Sequence, residues 1–103
     1  MDGLELVSFE IISNVGMAKS LAIEAIRECR QGNYTVSKEK LEECNKFMIK
    51  AHHSHSELIQ KEASGEKVEF SLILMHAEDQ MLSAETTMVL ANEIVDMYID
   101  LKK

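Results

Sequence analysis

Apolar residues recur every three or four positions along three stretches of this chain, which is the spacing of amphipathic helices. In the first stretch the apolar positions run from Leu4 to Cys29. Asp2, with Glu5 three residues later, predicts a capping box at the start of a helix. Gly32 predicts the C-terminal stop, because glycine accepts the left-handed conformation in which many helices end. The pattern therefore predicts a first helix that begins at Asp2.

The second stretch follows Asn33, a residue type favoured as a helix N-cap, and fades at Ala63-Ser64-Gly65. Its inward positions keep helical spacing and include two histidines, His52 and His55, in the third quarter of the helix. The inward stripe consists of Ser37, Leu41, Cys44, Met48, Ala51, His52, His55, Leu58, Ile59 and Glu62. This pattern predicts an amphipathic second helix whose seam contains imidazoles.

The third stretch begins between Val68 and Leu72, ends near Leu101 and has an unusually wide apolar arc. With a turn of about 100° per residue, one face collects Leu72, His76, Asp79, Gln80, Ser83, Thr87, Leu90 and Ile94. A second face holds Ile73, Ala77, Met81, Ala84, Met88, Ala91 and Val95, and a narrow polar strip holds Glu78, Glu85, Asn92 and Asp96. The arc exceeds the roughly 100° that packing against one layer explains, so self-association is predicted.

Three amphipathic helices without intervening repeats predict an all-α fold, an antiparallel three-helix bundle that forms oligomers. The chain has 103 residues and no proline, which fits a single domain over residues 1–103. A chain of this length buries only about 60–70% of the surface that its unfolded form exposes. We therefore expect a functional site in a groove or at a subunit boundary.

The formal net charge of −7 excludes several classes of partner. Sequence-independent nucleic-acid binding needs a basic surface, and so does attraction to an anionic membrane. No apolar run approaches the roughly 18–20 residues of a membrane span, and the acidic N-terminus lacks a secretory apolar segment. Cys29 and Cys44 lie on apolar stripes and are interpreted as small buried hydrophobes. The sequence thus predicts a cytoplasmic protein that binds neither nucleic acid nor membrane.

His76 is the first candidate for chemistry. Helical spacing alone favours a buried or interfacial histidine satisfied by a local hydrogen bond. Asp79 one turn on and Gln80 at the next position add a carboxylate that can orient an imidazole or bind a cation. The sequence has no glycine-rich phosphate loop, serine elbow, H-E-x-x-H or paired C-x-x-C motif. What remains is an imidazole acting as a nucleophile.

His52, His53 and His55 form a second candidate. Together with His76 from a packed helix, His52 and His55 have the number of side chains that a three-ligand zinc site needs. This spacing is common on helices, so histidines that line a polar pocket are favoured. A histidine-cluster metal-binding bundle stays an alternative.

Five segments resemble the lactose/cellobiose family of enzyme IIA components of the bacterial sugar phosphotransferase system, and they follow the same order in this chain. Residues 72–82, LILMHAEDQML, are similar to the family signature, an apolar run followed by H-[AG]-Q-D-H-L-M. Residues 14–21 are similar to its N-x-G-x-A-[KR]-S segment, and residues 30–34 to its G-[DN]-[FY] turn. Ala51-His52 and residues 62–66 match the second helix and its exit, so the resemblance covers essentially the whole chain.

The resemblance implies a homotrimer in which His76 accepts a phosphoryl group from the phosphocarrier protein HPr. The next acceptor is an active-site cysteine of a cognate IIB protein, which phosphorylates a β-linked disaccharide carried by the IIC permease. Cellobiose, lactose and diacetylchitobiose remain alternatives for that sugar. The resemblance also implies that Asp79 faces the trimer axis and binds a metal ion. Three converging carboxylates must share protons or a cation, and a divalent ion such as Mg²⁺ fits oxygen ligands.

The chain departs from the family motif at three positions. Glu78 replaces a glutamine and is predicted to face solvent on the polar strip, and Gln80 replaces a second histidine. Gln80 can donate a hydrogen bond to a phosphoryl oxygen but cannot carry positive charge. His55 replaces a glutamine and is predicted to supply the donor lost at Gln80. These departures leave a second alternative, a trimeric interaction or regulatory protein without the chemistry.

Overall fold

A computed structural model describes residues 3–102 as three helices joined by two short connections. The helices are α1 (Gly3–Arg30), α2 (Tyr34–Ala63) and α3 (Leu72–Lys102). Each is about 42–47 Å long at 1.5 Å per residue, and they lie side by side in a body of 53 × 24 × 17 Å. The predicted all-α, antiparallel bundle is confirmed. The predicted cap at Asp2 lies outside the described residues.

Two glycines end α1 and α2 in the same way. Gly32 has a φ of 86°, and its amide donates to the Cys29 carbonyl at 3.0 Å while the Asn33 amide donates to the Glu28 carbonyl at 2.9 Å. These two bonds form a Schellman motif, which satisfies carbonyls that the helix itself leaves free. Gly65, with a φ of 96°, closes α2 with the equivalent pair of bonds. The predicted stops of both helices are therefore confirmed.

The capping at the starts of α2 and α3 differs from what the sequence predicted. Asn33 occupies the N-cap position of α2, but its side chain donates to Glu28 Oε2 at 2.7 Å and caps nothing. The predicted N-cap position is therefore confirmed, but the side-chain capping bond is not formed, because the Schellman turn brings the Glu28 carboxylate within reach of the Asn33 amide. At α3, Ser71 Oγ accepts a hydrogen bond from the Leu74 amide at 3.1 Å. This is a serine N-cap that the sequence analysis did not identify, and it fixes the start of α3 at Leu72.

The core is organised around α1, which packs along its length against both α2 and α3. Direct contact between α2 and α3 is much thinner. Ala18, Ala22 and Ala25 are fully buried on the inner face of α1, where small side chains permit close helix approach. The other buried apolar residues are Ile11, Val15, Leu21, Cys29, Leu41, Cys44, Met48, Ala51, Ala77, Met81, Ala84, Ala91 and Val95. The central position of α1 leaves one whole side of α3 without a partner.

Two features of this core bear on the sequence expectations. By length and composition alone, α1 is apolar enough to cross a membrane, a property that the core helix of a soluble protein can share. Its apolar stripe is used here to contact the other two helices. Cys29 and Cys44 are buried free thiols, as predicted, and burial raises the pKa of the Cys44 thiol. A raised pKa lowers the thiolate fraction, so Cys44 is a poor nucleophile.

Replacing Met48 by alanine is expected to destabilise the bundle by about 2–5 kcal/mol, because the substitution leaves a cavity in a dense core. Met48 is 1% exposed, whereas Met17 is 49% exposed and is the matched control. Urea denaturation at a fixed protomer concentration measures both variants. Equal losses of stability for Met48→Ala and Met17→Ala would contradict the placement of the core.

Candidate functional site

One side of α3 is packed and the opposite side is bare. The predicted second face supplies all the buried residues of α3: Ala77, Met81, Ala84, Ala91 and Val95. The opposite side, called the free face below, carries large apolar residues together with a few polar ones, all of them exposed: Leu72, Met75, Asp79, Leu82, Thr86, Leu90, Glu93, Met97, Asp100 and Leu101. Leu72 is 74% exposed and Leu90 is 54% exposed. A row of large apolar side chains in water is typical of a surface that is covered in an assembly.

Asp79 lies in the middle of the free face. About 200° of helical rotation separates it from Met81 in the core, and its side chain is exposed. Within residues 3–102 its carboxylate has neither a hydrogen bond nor an ion pair. A charge placed among apolar neighbours and without a local partner indicates that its partner comes from outside the single chain.

His76 lies on the flank of the free face that borders α1. Ser83, seven residues later, is within about 20° of His76 around the helix. The Ser83 hydroxyl accepts a hydrogen bond from Lys19 Nζ of α1 at 3.1 Å, which places this flank beside α1. His76 itself is exposed, and in the described chain its imidazole has no partner. The buried or locally bonded histidine that pattern alone favoured is therefore not what the single chain contains.

The other three histidines all contact carboxylates. His52 Nε2 is 2.6 Å from Glu85 Oε1, and His55 Nε2 is 2.9 Å from Glu78 Oε1. We call these four residues the α2–α3 seam, because they bridge the two helices where direct packing is thin. His53 pairs with Glu57 on its own helix at 3.3 Å. His76 is thus the histidine that contacts no carboxylate within the part of the chain that the structure describes.

Glu78 is exposed, as predicted, and the α2–α3 seam also places it beside α2. Glu78 and Glu85 are partly accessible to water, as a polar strip requires, but they turn towards α2 and bind its histidines. Lys38 of α2 reaches Asp96 of the same strip at 2.9 Å. The strip therefore faces a neighbouring helix rather than solvent alone. Exposed ion pairs of this kind each stabilise a protein by less than about 1 kcal/mol.

The three-ligand zinc site is not formed. Among residues 3–102, no group of three His, Cys, Asp or Glu side chains is placed to hold a metal ion. His52 and His55 face Glu85 and Glu78 on one flank of α3, whereas His76 lies on the flank beside α1. The imidazoles of His52 and His55 were predicted to line a polar pocket, and each instead contacts a carboxylate.

Gln80 lies on the same flank of α3 as His76, whereas His55 does not reach that flank. Gln80 is one turn after His76 on the same flank, is partly buried, and has no hydrogen bond within the described chain. Its amide is therefore available to a group on His76. His55, in contrast, contacts Glu78, which lies about 200° around α3 from His76. Within one chain the structure does not bring His55 to His76.

The α2–α3 seam is the feature that sequence reasoning missed. A signal was present: Glu78 and Glu85 are seven residues apart, and so lie one above the other on α3. His52 and His55 are one turn apart on α2 and form a matching pair of partners. Helical spacing alone does not say which helix lies beside a polar strip. The pairing of these histidines and glutamates can therefore be predicted only when the packing of α2 against α3 is known.

Comparison with known proteins matches nearly the whole chain to one family. The family described as "PTS system, Lactose/Cellobiose specific IIA subunit" matches residues 6–99. A lichenan-specific phosphotransferase enzyme IIA component of Bacillus subtilis is 39% identical over 95 residues, covering 92% of this chain and 86% of that protein. The diacetylchitobiose-specific EIIA component of Escherichia coli is 30% identical over 99 residues, covering 96% and 85%.

Solved structures agree with these relatives. The crystal structure of the cellobiose-specific enzyme IIA from Bacillus anthracis has a TM-score of 0.94 at 39% identity, covering 99% of this chain and 94% of that one. The solution structures of the IIA(chitobiose)–HPr complex of Escherichia coli contain a chain with a TM-score of 0.85 at 28% identity, with both chains fully covered. The likeness therefore extends over all three helices.

Proposed function

This chain belongs to the lactose/cellobiose-specific IIA family of the phosphotransferase system, and we propose that His76 is the residue on which it carries the phosphoryl group. Members of this family are phosphotransferase components that carry a phosphoryl group between HPr and a IIB protein. The observation that supports His76 is its free imidazole: the other three histidines are paired with carboxylates. Histidine suits this work because its neutral ring is a nucleophile near pH 7.

The proposed reaction has two displacements at phosphorus. A ring nitrogen of His76 attacks the phosphorus atom of phosphohistidine in HPr, a new P–N bond forms, and the P–N bond of HPr breaks. In the second step the thiolate of a IIB cysteine attacks the same phosphorus, and the His76 imidazole leaves. No other covalent chemistry is needed, so the protein contributes positioning and stabilisation of the transferring charge.

Gln80 is proposed to assist as a hydrogen-bond donor. It shares a flank with His76, and its amide has no other partner in the described chain. One N–H group can donate to a phosphoryl oxygen, but the amide adds no positive charge. The site therefore stabilises the phosphoryl group by geometry more than by charge. A donor role for His55 stays a prediction, and any such contact would have to come from another subunit.

The free face of α3 supports a homotrimer. Its large apolar residues are exposed in one chain, and copies of α3 packed around a common axis would bury them. Cyclic packing would also bring the three copies of Asp79 together. His76 would then lie at a subunit boundary, where two neighbouring proteins, HPr and IIB, can reach it. A soluble, cytoplasmic location is proposed because the chain belongs to a family of soluble phosphocarrier proteins.

Asp79 is proposed to hold a divalent cation on the trimer axis. The side chain fits such a site, because it is exposed, central on the free face and without a partner in the described chain. Three carboxylates near one point repel each other unless a cation or protons neutralise them. Carboxylate oxygens are ligands that Mg²⁺ prefers. The ion would supply charge neutralisation at the interface and would take no part in phosphoryl transfer.

Chelation is expected to lower the thermal midpoint of the wild-type protein by several degrees, because a bound ion stabilises the assembly by mass action. In Asp79→Asn the repulsion is absent, so a chelator should leave the midpoint unchanged. Calorimetry with and without EDTA, at one protomer concentration, measures both. An equal response of wild type and Asp79→Asn to EDTA would contradict the assignment of Asp79.

The sugar is proposed to be a β-linked disaccharide of the cellobiose, lactose or diacetylchitobiose class. This follows from the relatives, whose names include lichenan-specific, lactose-specific and diacetylchitobiose-specific components. Selection among these sugars belongs to the IIB and IIC proteins that handle the sugar itself. The alternative of a trimeric interaction protein without chemistry rests on Glu78 and Gln80. Incubation with enzyme I, HPr and phosphoenolpyruvate separates the two, because only a phosphocarrier gains a phosphoryl group.

A further inference from the structure

The free face of α3 has two different flanks. One flank carries His76 and borders α1, as the contact between Lys19 and Ser83 shows. The other flank carries Glu78, which contacts His55 of α2 at 2.9 Å. His76 and Glu78 are two residues apart in sequence, which is about 3 Å along the helix axis. The two side chains therefore lie at nearly the same height on opposite flanks of one face.

Cyclic symmetry brings unlike flanks together. In a ring the interface is heterologous, so a surface on one side of each subunit meets the surface on the other side of the next. If the free face is directed at an axis parallel to α3, each subunit turns one flank towards each neighbour. Rotation about that axis preserves height along it. The flank with Glu78 of one subunit then faces the flank with His76 of the partner subunit at the same level.

We propose that the His55–Glu78 pair of one subunit forms a wall of the phosphorylation site on His76 of the partner subunit, with His55 as a positioning residue. This inference rests on the proposed function and on its trimer. A carboxylate beside a phosphoryl group repels it. His55 Nε2 contacts Glu78 Oε1, and the His55 side chain is only 22% exposed, so it holds the carboxylate against α2. The wall is thereby kept from turning its charge towards the incoming phosphoryl group.

The sequence departures fit this arrangement as a pair. His55 and Glu78 both replace glutamines of the family pattern, and the structure places the two replacements in contact. A glutamate at position 78 alone would add an unrestrained negative charge to the site boundary. A histidine at position 55 supplies the restraint. Each departure is explained by the other.

Replacing His55 by alanine is expected to slow phosphorylation by phospho-HPr about 3- to 10-fold, because Glu78 is released beside the phosphoryl group. The double variant His55→Ala/Glu78→Gln should regain the wild-type rate, since the released side chain is no longer charged. Rapid-quench kinetics with purified phospho-HPr measures the rates. His52→Ala is the matched control: it removes the equivalent bridge to Glu85, two turns along α3, and should leave the rate unchanged.

Mixed trimers test whether the wall acts across the subunit boundary. Chains with His55→Ala are co-expressed with a tenfold excess of chains with His76→Gln, which accept nothing but retain the His55–Glu78 pair. In a mixed trimer, His76 of the His55→Ala chain faces an intact wall. Its phosphorylation is expected to return to the wild-type rate, whereas a pair acting within its own chain would leave the rate low.

The outcomes separate this inference from the function on which it rests. A wild-type protein that accepts no phosphoryl group overturns the proposed function, and the inference with it. A His55→Ala rate equal to wild type, a double variant as slow as His55→Ala, or a mixed trimer without recovery overturns the inference alone. A slow double variant would instead indicate that His55 donates directly to the phosphoryl group.

Discussion

The His76→Gln variant is expected to lose phosphoryl acceptance by at least about 1000-fold, because removal of a nucleophile leaves no group to form the covalent bond. Glutamine keeps a polar side chain of similar length on the exposed flank of α3, so the fold should not change. Intact-mass spectrometry after incubation with enzyme I, HPr and phosphoenolpyruvate measures the effect. Wild type should gain one phosphoryl group per chain, and His76→Gln none.

His53→Gln is the matched control for this experiment. The His53 side chain is 77% exposed, and its contact is an ion pair with Glu57 on the same helix. It is thus an accessible imidazole away from the free face of α3, and the variant should be phosphorylated like wild type. Phosphorylation of His76→Gln, or its loss in His53→Gln, would place the acceptor elsewhere.

Replacing Leu90 by aspartate is expected to convert the trimer into monomers. Leu90 lies on the free face and is 54% exposed in the single chain, so the proposed assembly buries it in all three subunits. Each copy would lose about 1.5–3 kcal/mol of apolar burial, and three added carboxylates would have to leave water. Sedimentation velocity measures the change, and circular dichroism checks that the helices remain.

Val36→Asp is the control for assembly. Val36 is an exposed apolar residue of similar character, 41% exposed, in the first turns of α2 and outside the free face. This variant should sediment as a trimer. A Leu90→Asp protein that remains a trimer would show that the free face is not the interface, and dissociation of Val36→Asp would show that the interface includes α2.

Helical spacing predicted the parts of this fold that depend on one helix at a time. The buried face of α3, including Ala77, Met81 and Val95, follows directly from residues that recur at three and four positions. Gly32 and Gly65 end their helices as predicted, because a positive φ suits glycine and few other residues. These features are local, and local physics was sufficient to predict them.

Features that depend on two helices were harder to predict. Spacing placed Glu78 on a polar strip but did not reveal that α2 borders the strip and supplies His55. Asn33 was predicted to cap α2, yet its side chain binds Glu28, which the preceding turn brings close. The geometry of neighbours decides such choices, and a pattern along one helix does not contain that geometry. The reaction was predicted from the resemblance around His76 and not from periodicity.

Transfer of the phosphoryl group from His76 to a IIB cysteine tests directly whether this chain is a phosphocarrier. The protein is phosphorylated with phospho-HPr, freed of the donor, and mixed with a cognate IIB protein or with its Cys→Ser variant. We expect the phosphoryl group to leave His76 and to be recovered on the cysteine of intact IIB, while the Cys→Ser variant receives none. A phosphoryl group that stays on this chain in the presence of intact IIB would show that the protein is not a phosphocarrier for IIB.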